Sequence, residues 1–329
     1  ANTILEKFAF ASKASDAKSD DGTSTYYKDV INRKSKYVRW MSLEPTGNNW
    51  GTAAAGAVQY SALASAKLYT MSGGITATNT LGDLERAYDL FANADEIDIS
   101  LLMAGPSTAT LTNYLIAMAD SRKDCIVCAS PQLSDVVDNL GSEAADCVTY
   151  RNTLTSTSYA VLDSGWKYQY DKYNDVYRWV PLNGDIAGLI VRTDQDRDAW
   201  WSPGGPNRGI LKNVVKLAWN PSLTARDTLY KSGINPVVGF PGEGPMLFGD
   251  KTLLARPSAF DRINVRRLFI VIEKAIAKAS RSSLFEFNDE FTRAQFVSLV
   301  EPYLRDIQGR RGIYDFRVVC DTTNNTPEV

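Results

Sequence analysis

Helical and strand-like patterns alternate between residues 81 and 140. Apolar residues recur at helical spacing from Leu81 to Phe91, and an apolar strand-like run follows over 97–103. The same order then repeats, with a helical pattern over 111–119, a strand-like run over 125–129 and a short helical pattern over 134–140. Strands connected through helices pair in parallel, because a tight turn cannot join parallel neighbours. The sequence therefore predicts an α/β fold in which a sheet is flanked by helices.

A sheet of this kind places a ligand crevice beyond the carboxyl ends of its strands. Residues 104–108, which follow the first predicted strand, contain one glycine and lack the Gly-x-Gly-x-x-Gly pattern of dinucleotide-binding proteins. We therefore predict a plain turn that leads into a helix, with Ser107 or Thr108 as the N-cap.

Aromatic residues alternate on both sides of a polar turn at 171–175. Trp166, Tyr168 and Tyr170 precede the turn, and Tyr177 and Trp179 follow it. This period of two predicts an antiparallel hairpin. Aromatic rings bind single-stranded nucleic acid when a basic groove surrounds them. The charges beside these rings are mixed, so we predict cross-strand packing instead.

The charge balance gives no support for a polyanionic partner. The 329 residues carry 36 basic and 38 acidic side chains, for a net charge of -2. Such a chain has no global attraction to nucleic acid or to an anionic membrane. It also lacks an apolar run of the roughly 20 residues that a transmembrane helix needs, and Glu6 and Lys7 interrupt the region where a signal peptide would be apolar. We expect no nucleic acid, no membrane insertion and no export signal.

The sequence contains no histidine. Catalytic triads that use histidine, histidine metal ligands and the commonest general base near neutral pH are therefore excluded. Carboxylate, lysine and tyrosine chemistry stays open. We predict a protein that is not an enzyme and that has no catalytic residue, no cofactor and no metal.

Four cysteines without a close-spaced framework indicate a reducing compartment and free thiols. Cys125 and Cys128 form a Cys-x-x-Cys pair. Residues three apart on a strand point to opposite faces, so these two cannot share a metal or redox site. We predict buried structural thiols.

The alternate aspartates Asp194, Asp196 and Asp198 fit the start of a calcium-binding loop. Ala199 stands where that loop needs glycine, and Gly205 stands where it needs a bidentate glutamate. We predict a solvated turn in which neighbouring arginines balance the aspartates.

Residues 244–252 nearly form a phosphate-binding loop, with Gly244, Gly249, Lys251 and Thr252 in order. Asp250 disrupts the spacing and adds a negative charge where a phosphate would bind. A nucleotide-binding or enzymatic α/β protein that uses a crevice of the sheet is the alternative function, and it is the less favoured one.

Two helices are predicted after residue 260. The first has an apolar stripe made of Leu268, Phe269, Ile272, Ile276 and Ala279. Its opposite face carries the basic residues Arg267, Lys274, Lys278 and Arg281. Asp261 is the predicted N-cap of this helix, because its carboxylate can accept hydrogen bonds from the free N–H groups of the first turn.

The second helix opens with Thr292 and Gln295, which have the spacing of a capping box. Pro302 lies inside its apolar stripe and lacks a backbone donor, which predicts a kink or a break just before it. From Ile313 onward alternate residues are apolar, and this predicts a strand with one buried face. The residues on that face are Tyr314, Phe316, Val318 and Cys320.

Several segments, taken together, resemble the tail sheath proteins of contractile-tailed bacteriophages. The matching blocks are residues 260–268 (FDRINVRRL), 291–293 (FTR) and 312–318 (GIYDFRV), preceded by the Trp-x-x-Pro-x-Gly-x-x-Arg-Gly segment over 200–209. In the family, that segment leads into the C-terminal core. We therefore expect an α/β sheath domain over 1–205, with a variable segment at 50–75, and a smaller α+β core domain over 206–329.

The resemblance implies a structural protein. Its copies would stack as hexameric rings around a tail tube, and the sheath would contract to drive the tube through the host envelope and deliver the genome. The implied partners are further copies of the chain, the tail tube protein, the baseplate and the tail terminator proteins. The implied location is the virion tail, after assembly in the host cytoplasm. The sheath of a related secretion or bacteriocin machine is an alternative source.

Two surfaces are the candidate interfaces with neighbouring subunits or with the tube. The first is the basic helix face of Arg267, Lys274, Lys278 and Arg281, which we expect to meet an acidic surface. The second is the predicted last strand, with Ile313, Tyr314, Phe316 and Val318, which we expect to pair with a neighbour. In the resembling family the chain continues into further strands that interlock with neighbours, and we expect such strands to contribute to ring formation.

Overall fold

The computed structural model describes residues 4–40 and 79–325, so the variable segment predicted at 50–75 lies outside the described residues. The chain divides into two compact units, Ala1–Thr76 and Ala77–Val329. The helices are α1 (Tyr27–Lys34), α2 (Leu81–Asp89), α3 (Ala109–Arg122), α4 (Leu133–Val136), α5 (Glu143–Asn152), α6 (Asn183–Asp196), α7 (Leu223–Lys231), α8 (Ile263–Ser280) and α9 (Glu290–Gly309). The strands are β1 (Leu101–Met103), β2 (Ile126–Ala129), β3 (Ala160–Asp163), β4 (Trp166–Asp171), β5 (Val176–Pro181), β6 (Lys216–Leu217), β7 (Ile234–Asn235), β8 (Val237–Phe240) and β9 (Gly244–Leu247).

In the first unit, helix α1 packs against the chain that follows it. The rings of Tyr27 and Trp40 meet edge to face, with their centroids 4.8 Å apart. The Asn32 side chain accepts a hydrogen bond from the Trp40 N–H and donates one to the Trp40 carbonyl. These contacts hold the segment after α1 against the helix.

A four-stranded parallel sheet in the order β1-β2-β3-β7 forms the centre of the second unit. Helices α3 and α5 pack on one face of the sheet, where Leu115 and Cys147 are buried. Helices α6 and α8 pack on the other face, where Ile186 and Ile263 are buried. Strands covered on both faces are largely apolar, which is why β1 and β2 read as continuous apolar runs. The prediction of a sheet flanked by helices is confirmed.

Local details of this sheet also follow the sequence. Thr108 is the N-cap of α3, and its side chain accepts a hydrogen bond from the Leu111 N–H. Cys125 packs in the core on one face of the sheet, and Cys128 packs in the core on the other. Burial raises the pKa of Cys128 to about 12, so this thiol stays protonated at neutral pH. The prediction that the Cys-x-x-Cys pair is structural is confirmed.

The aromatic hairpin forms as predicted. Tyr168 pairs with Trp179 and Tyr170 pairs with Tyr177 across β4 and β5. The Tyr168 and Trp179 rings have centroids 5.0 Å apart, and the Lys216 ammonium of β6 lies over both rings at 5.3 and 5.4 Å from their centroids. The rings therefore pack across strands and onto a lysine of the same chain.

Helix α8 is buried on two sides. Its residues Ile263 and Ile270 pack against the sheet, whereas Leu268 packs with Val300 and Leu304 of α9. Phe269, which was predicted to lie in the apolar stripe, is 38% exposed. A single-stripe helix faces one neighbour, but α8 lies between two, so its buried surface includes positions that the simple periodic pattern assigned to the polar face.

Both predicted helix starts in this region were wrong. Asp261 is not the N-cap of α8, because it ends a short 3-10 turn (Ala259–Asp261), and the N-cap residue Arg262 makes no side-chain capping bond. The N-cap of α9 is Asp289, whose carboxylate accepts a hydrogen bond from the Thr292 N–H. Asp289 is a strong N-cap type three residues before Thr292, so it starts the helix earlier than the predicted capping box.

Helix α9 continues through Pro302, so a break at that residue is not found. Val300 and Leu304, on either side of the proline, are both buried against α8. This packing holds the helix together across the missing backbone bond. A kink at Pro302 stays a prediction.

The predicted last strand is not formed. Residues 315–320 do not form a strand, although their burial alternates as expected, with Phe316 and Val318 partly buried and Arg317 and Val319 exposed. A strand requires a hydrogen-bonded neighbour. The described part of the chain supplies none beside this segment, so the alternating pattern stays an unpaired extended segment.

Candidate assembly surfaces

Arg267 attaches α8 to α6. Its side chain is 4% exposed, and it forms an ion pair with the Asp194 carboxylate near the end of α6. Burial raises the pKa of Asp194, although the neighbouring guanidinium acts in the opposite direction. The structure thus places Arg267 inside the chain, where it is not accessible to a partner.

Lys274 attaches the same helix to the segment that precedes β1. Its ammonium lies 2.6 Å from the Asp98 carboxylate and 3.7 Å from that of Asp124. The hydrogen bond from Lys274 lowers the pKa of Asp98. Asp124 is also paired with Arg122 at 2.8 Å. Lys274 is therefore part of an internal charge network.

The C-terminal end of the basic face reaches solvent. The Arg281 side chain is 70% exposed and lies 3.6 Å from the even more exposed Asp95, a geometry that contributes little to stability. Lys278 is exposed and forms no ion pair within residues 4–40 and 79–325. Two of the four predicted basic residues are thus available to a partner.

The alternate aspartates have a role that sequence reasoning missed. Asp194 pairs with Arg267 of α8, and Asp198 pairs with Arg310 at the end of α9. The Arg310 guanidinium also lies over the Trp200 ring, 5.3 Å from its centroid. Among the described residues no group of three or more acidic, cysteine or histidine side chains is arranged to hold a metal. Asp194 and Asp198 therefore attach the two C-terminal helices, α8 and α9, to the end of α6 and the residues after it. No local signal in the sequence identifies partners so distant along the chain.

A groove of about 600 Å³ lies at the start of the last segment, and Trp200, Leu268, Ile313 and Tyr314 are among its lining residues. Gly312 allows the chain to pass close to Ile307 and Trp200 where the last segment begins. A Cβ atom there would lie 2.4 Å from the Ile307 side chain and 3.2 Å from the Trp200 ring, so only glycine fits without a shift.

The four predicted interface residues of the last segment are divided by the structure. Ile313, Phe316 and Val318 pack partly buried against the cluster of α8 and α9, whereas Tyr314 is fully exposed. In the described part of the chain, the main-chain N–H groups of residues 317–320 have no hydrogen-bond partner. An anchored, extended segment with unpaired donors is a template for strand addition.

The segment that nearly forms a phosphate loop is occupied by internal contacts. Asp250 accepts a hydrogen bond from Arg262 at 2.7 Å. The Lys251 ammonium donates to the Tyr230 carbonyl at 3.0 Å and lies 4.4 Å from the centroid of the Tyr230 ring. Lys251 is thus held by an aromatic ring and a carbonyl group.

Among the described helices, none has the length and apolar character to cross a membrane.

Two family models match the chain over adjacent ranges. The model of the phage tail sheath protein central domain matches residues 73–253. The model of the phage tail sheath C-terminal domain matches residues 255–328.

Similar sequences include three tail sheath proteins. That of Enterobacteria phage T4 is 46% identical over 281 residues, which are 80% of this chain and 43% of the relative. That of Vibrio phage KVP40 is 45% identical over 283 residues, with 79% and 42% covered. That of Salmonella phage ViI is 38% identical over 328 residues, with 99% and 49% covered. The chain thus spans less than half the length of these relatives.

Similar solved structures show the same fold. The baseplate structure of the anti-feeding prophage contains a chain with a TM-score of 0.57 and 21% identity, covering 72% of this chain and 60% of that one. The sheath complex of an extracellular contractile injection system, in its contracted state, gives a TM-score of 0.57 at 19% identity, with 68% and 58% covered. Since the family models account for most of the residues from 73 onward, the chain belongs to the phage tail sheath protein family.

Proposed function

We propose that the chain acts as a structural subunit of a contractile phage tail sheath, whose copies stack as hexameric rings around the tail tube. The family is one of structural proteins and not of enzymes. Contraction is a rigid-body rearrangement between subunits that drives the tube through the host envelope for genome delivery. The observation that carries the proposal is the anchored, unpaired segment at 315–320.

Fold similarity supports assembly of copies. The similar structures come from a contracted helical sheath of the anti-feeding prophage and from its baseplate. By analogy, the partners of this chain are its own copies, the tail tube protein, the baseplate and the tail terminator proteins, and its location is the virion tail after assembly in the host cytoplasm.

Strand addition explains how copies stay linked while they move. The unpaired N–H groups of residues 317–320 are free to bind a strand of a neighbouring copy. A strand shared between two copies keeps its hydrogen bonds while the bodies of the copies rotate about flexible connections. The last segment is therefore the proposed subunit interface, with Ile313, Phe316 and Val318 facing their own helices and Tyr314 facing the neighbour.

The second proposed interface is the exposed end of α8. Lys278 and Arg281 would meet an acidic surface of the tube or of another subunit, while Arg267 and Lys274 hold the helix in place. Reversing both exposed charges, in Lys278→Glu and Arg281→Glu, should abolish decoration of tubes seen by electron microscopy without lowering the melting temperature. Unchanged decoration of tubes by the double variant would contradict the proposal that Lys278 and Arg281 form an interface.

Arg317 offers a matched pair of variants that tests strand addition. Its side chain is exposed, so Arg317→Ala removes the side chain alone, whereas Arg317→Pro also removes the N–H that would pair. We expect light scattering to show assemblies of equal mass for the wild type and Arg317→Ala, and a loss of assembly for Arg317→Pro. Equal assembly by both variants would contradict the proposed interface.

A further inference from the structure

A basic cavity of about 460 Å³ lies where the ends of α5 and α7 meet the chain that leads into α8. Four cationic side chains line it, namely Arg151, Lys231, Lys251 and Arg256, against the single acidic side chain of Asp261. The cavity is distinct from the last segment and from the exposed end of α8. Its function does not depend on the proposed assembly.

Arg151 is a buried cation that has no counterion among the described residues. Its exposure is 8%, and two of its nitrogens donate to the main-chain carbonyls of Leu253 at 2.8 Å and Leu154 at 3.4 Å. Its Nε has no hydrogen-bond partner in the part of the chain that the structure describes. Burial lowers the pKa of Arg151, and no carboxylate in the described ranges opposes this shift. A buried charge that is left unpaired is strongly unfavourable, so this site favours an added anion.

The other cations reinforce the positive field of the cavity. Lys231 and Arg256 are exposed at its rim and form no ion pair with the described residues. Lys251 is held over the Tyr230 ring. The one acid, Asp261, lies 3.4 Å from Arg262 and is partly neutralised by it. Clustered charges of one sign against low-dielectric walls concentrate counterions of the opposite sign.

The cavity also joins the two regions that the family models distinguish. Arg151, Lys231 and Lys251 belong to the region that ends at residue 253, and Arg256 belongs to the region that starts at residue 255. Gly233, whose φ of +80° favours glycine, lines the cavity beside the Arg151 side chain. An anion in this cavity would therefore connect both regions.

We propose that this cavity is a binding site for a multiply charged oxyanion. Guanidinium and ammonium groups bind phosphate and carboxylate oxygens through charge-assisted hydrogen bonds. The oxyanion is either a free phosphate compound or a group of acidic side chains from a protein. The two sources share the same chemistry at the site, and they are separated by the choice of probe.

The test is isothermal titration calorimetry on the full chain at constant ionic strength, with inorganic pyrophosphate in one arm and hexa-aspartate in the other. The variant Lys231→Glu with Arg256→Glu reverses two exposed charges of the cavity. Its control, Lys172→Glu with Lys212→Glu, makes the same change in net charge at exposed lysines away from the cavity. Arg151→Gln removes the buried charge and keeps a polar side chain at this position.

We expect at least one probe to bind the wild type, and its affinity to fall at least about tenfold in the cavity variants. The control should stay within about twofold of the wild type. Stronger binding of pyrophosphate would assign a free phosphate compound, and stronger binding of hexa-aspartate would assign acidic side chains of a protein. Absence of binding by both probes, or equal loss in the cavity and control variants, would overturn the proposal.

Discussion

Arg267 of α8 forms an ion pair with Asp194 of α6 across 73 residues of chain. Because of this pair, the basic face of α8 is only partly available to a partner. The sequence pattern assigned this face to a partner, but at Arg267 it attaches α8 to α6 of the same chain. Only the end of the face near Arg281 remains exposed.

Removal of the ion pair between Arg267 and Asp194 should destabilise the fold. Arg267→Met leaves the half-buried Asp194 without its counterion, and we expect the free energy of unfolding in urea to fall by about 2–4 kcal/mol. Arg281→Met, which removes an exposed partner of Asp95, serves as the control and should change it by less than about 0.5 kcal/mol. Similar losses for both variants would show that the Arg267 pair is not structural.

Asp163 should make stability depend on pH. It is fully buried at the end of β3, and burial raises its pKa to about 8 although Ser130 and Gly165 donate hydrogen bonds to it. In the unfolded chain its pKa is about 3.9. The folded state therefore holds a proton that the unfolded state releases, and this contribution to stability is complete below pH of about 4 and lost as pH rises through about 8.

The variant Asp163→Asn isolates that contribution, because its amide stays neutral at every pH. We expect the stability of the wild type relative to Asp163→Asn to fall between pH 5 and pH 8, measured by urea unfolding at each pH. Asp21, an exposed carboxylate whose pKa is lowered to about 2, gives a control variant, Asp21→Asn, without this trend in the same interval. A constant difference between wild type and Asp163→Asn would mean that Asp163 is ionised in the folded state.

Gly312 should tolerate no side chain. In Gly312→Ala the added methyl group would lie 2.4 Å from the Ile307 side chain, so we expect a loss of about 1–3 kcal/mol in the free energy of unfolding. Gly309→Ala is the matched control, because a Cβ atom there has no neighbour within 4 Å. That change should be neutral or stabilising by up to about 1 kcal/mol. A neutral Gly312→Ala would contradict the close approach at the start of the last segment.

The start of α9 can be tested by comparing two candidate N-caps that lie three residues apart. Asp289→Ala removes the carboxylate that accepts from the Thr292 N–H at 2.8 Å, and we expect it to cost about 1 kcal/mol. Thr292→Ala, at the position that the sequence pattern favoured as N-cap, should cost less than about 0.5 kcal/mol. Thermal unfolding measures the loss of stability in both variants. A larger loss in Thr292→Ala than in Asp289→Ala would support Thr292 as the N-cap and contradict Asp289.

Local patterns predicted the elements whose signal in the sequence is itself local. The parallel sheet, the hairpin of Tyr168 and Trp179, and the opposite burial of Cys125 and Cys128 all follow from periods of two and 3.6 residues. The N-cap of α3 at Thr108 follows from side-chain chemistry. The patterns that predict these features extend over a few neighbouring residues, although the features themselves also involve distant parts of the chain.

Features that depend on distant residues were not predicted. The position of α8 between the sheet and α9 makes Arg267 a buried residue, and no local pattern names Asp194 as its partner. The alternation after Ile313 is that of a strand, but pairing depends on a neighbour outside the pattern. The domain boundary that the sequence predicted between residues 205 and 206 stays a prediction.

The most direct measurement of the central claim is negative-stain electron microscopy of the purified chain, with its mass measured by light scattering. The proposed function predicts rings or tubes with sixfold end views, and masses well above 36.3 kDa. Single compact particles with the mass of one chain at every concentration would contradict assembly by this chain.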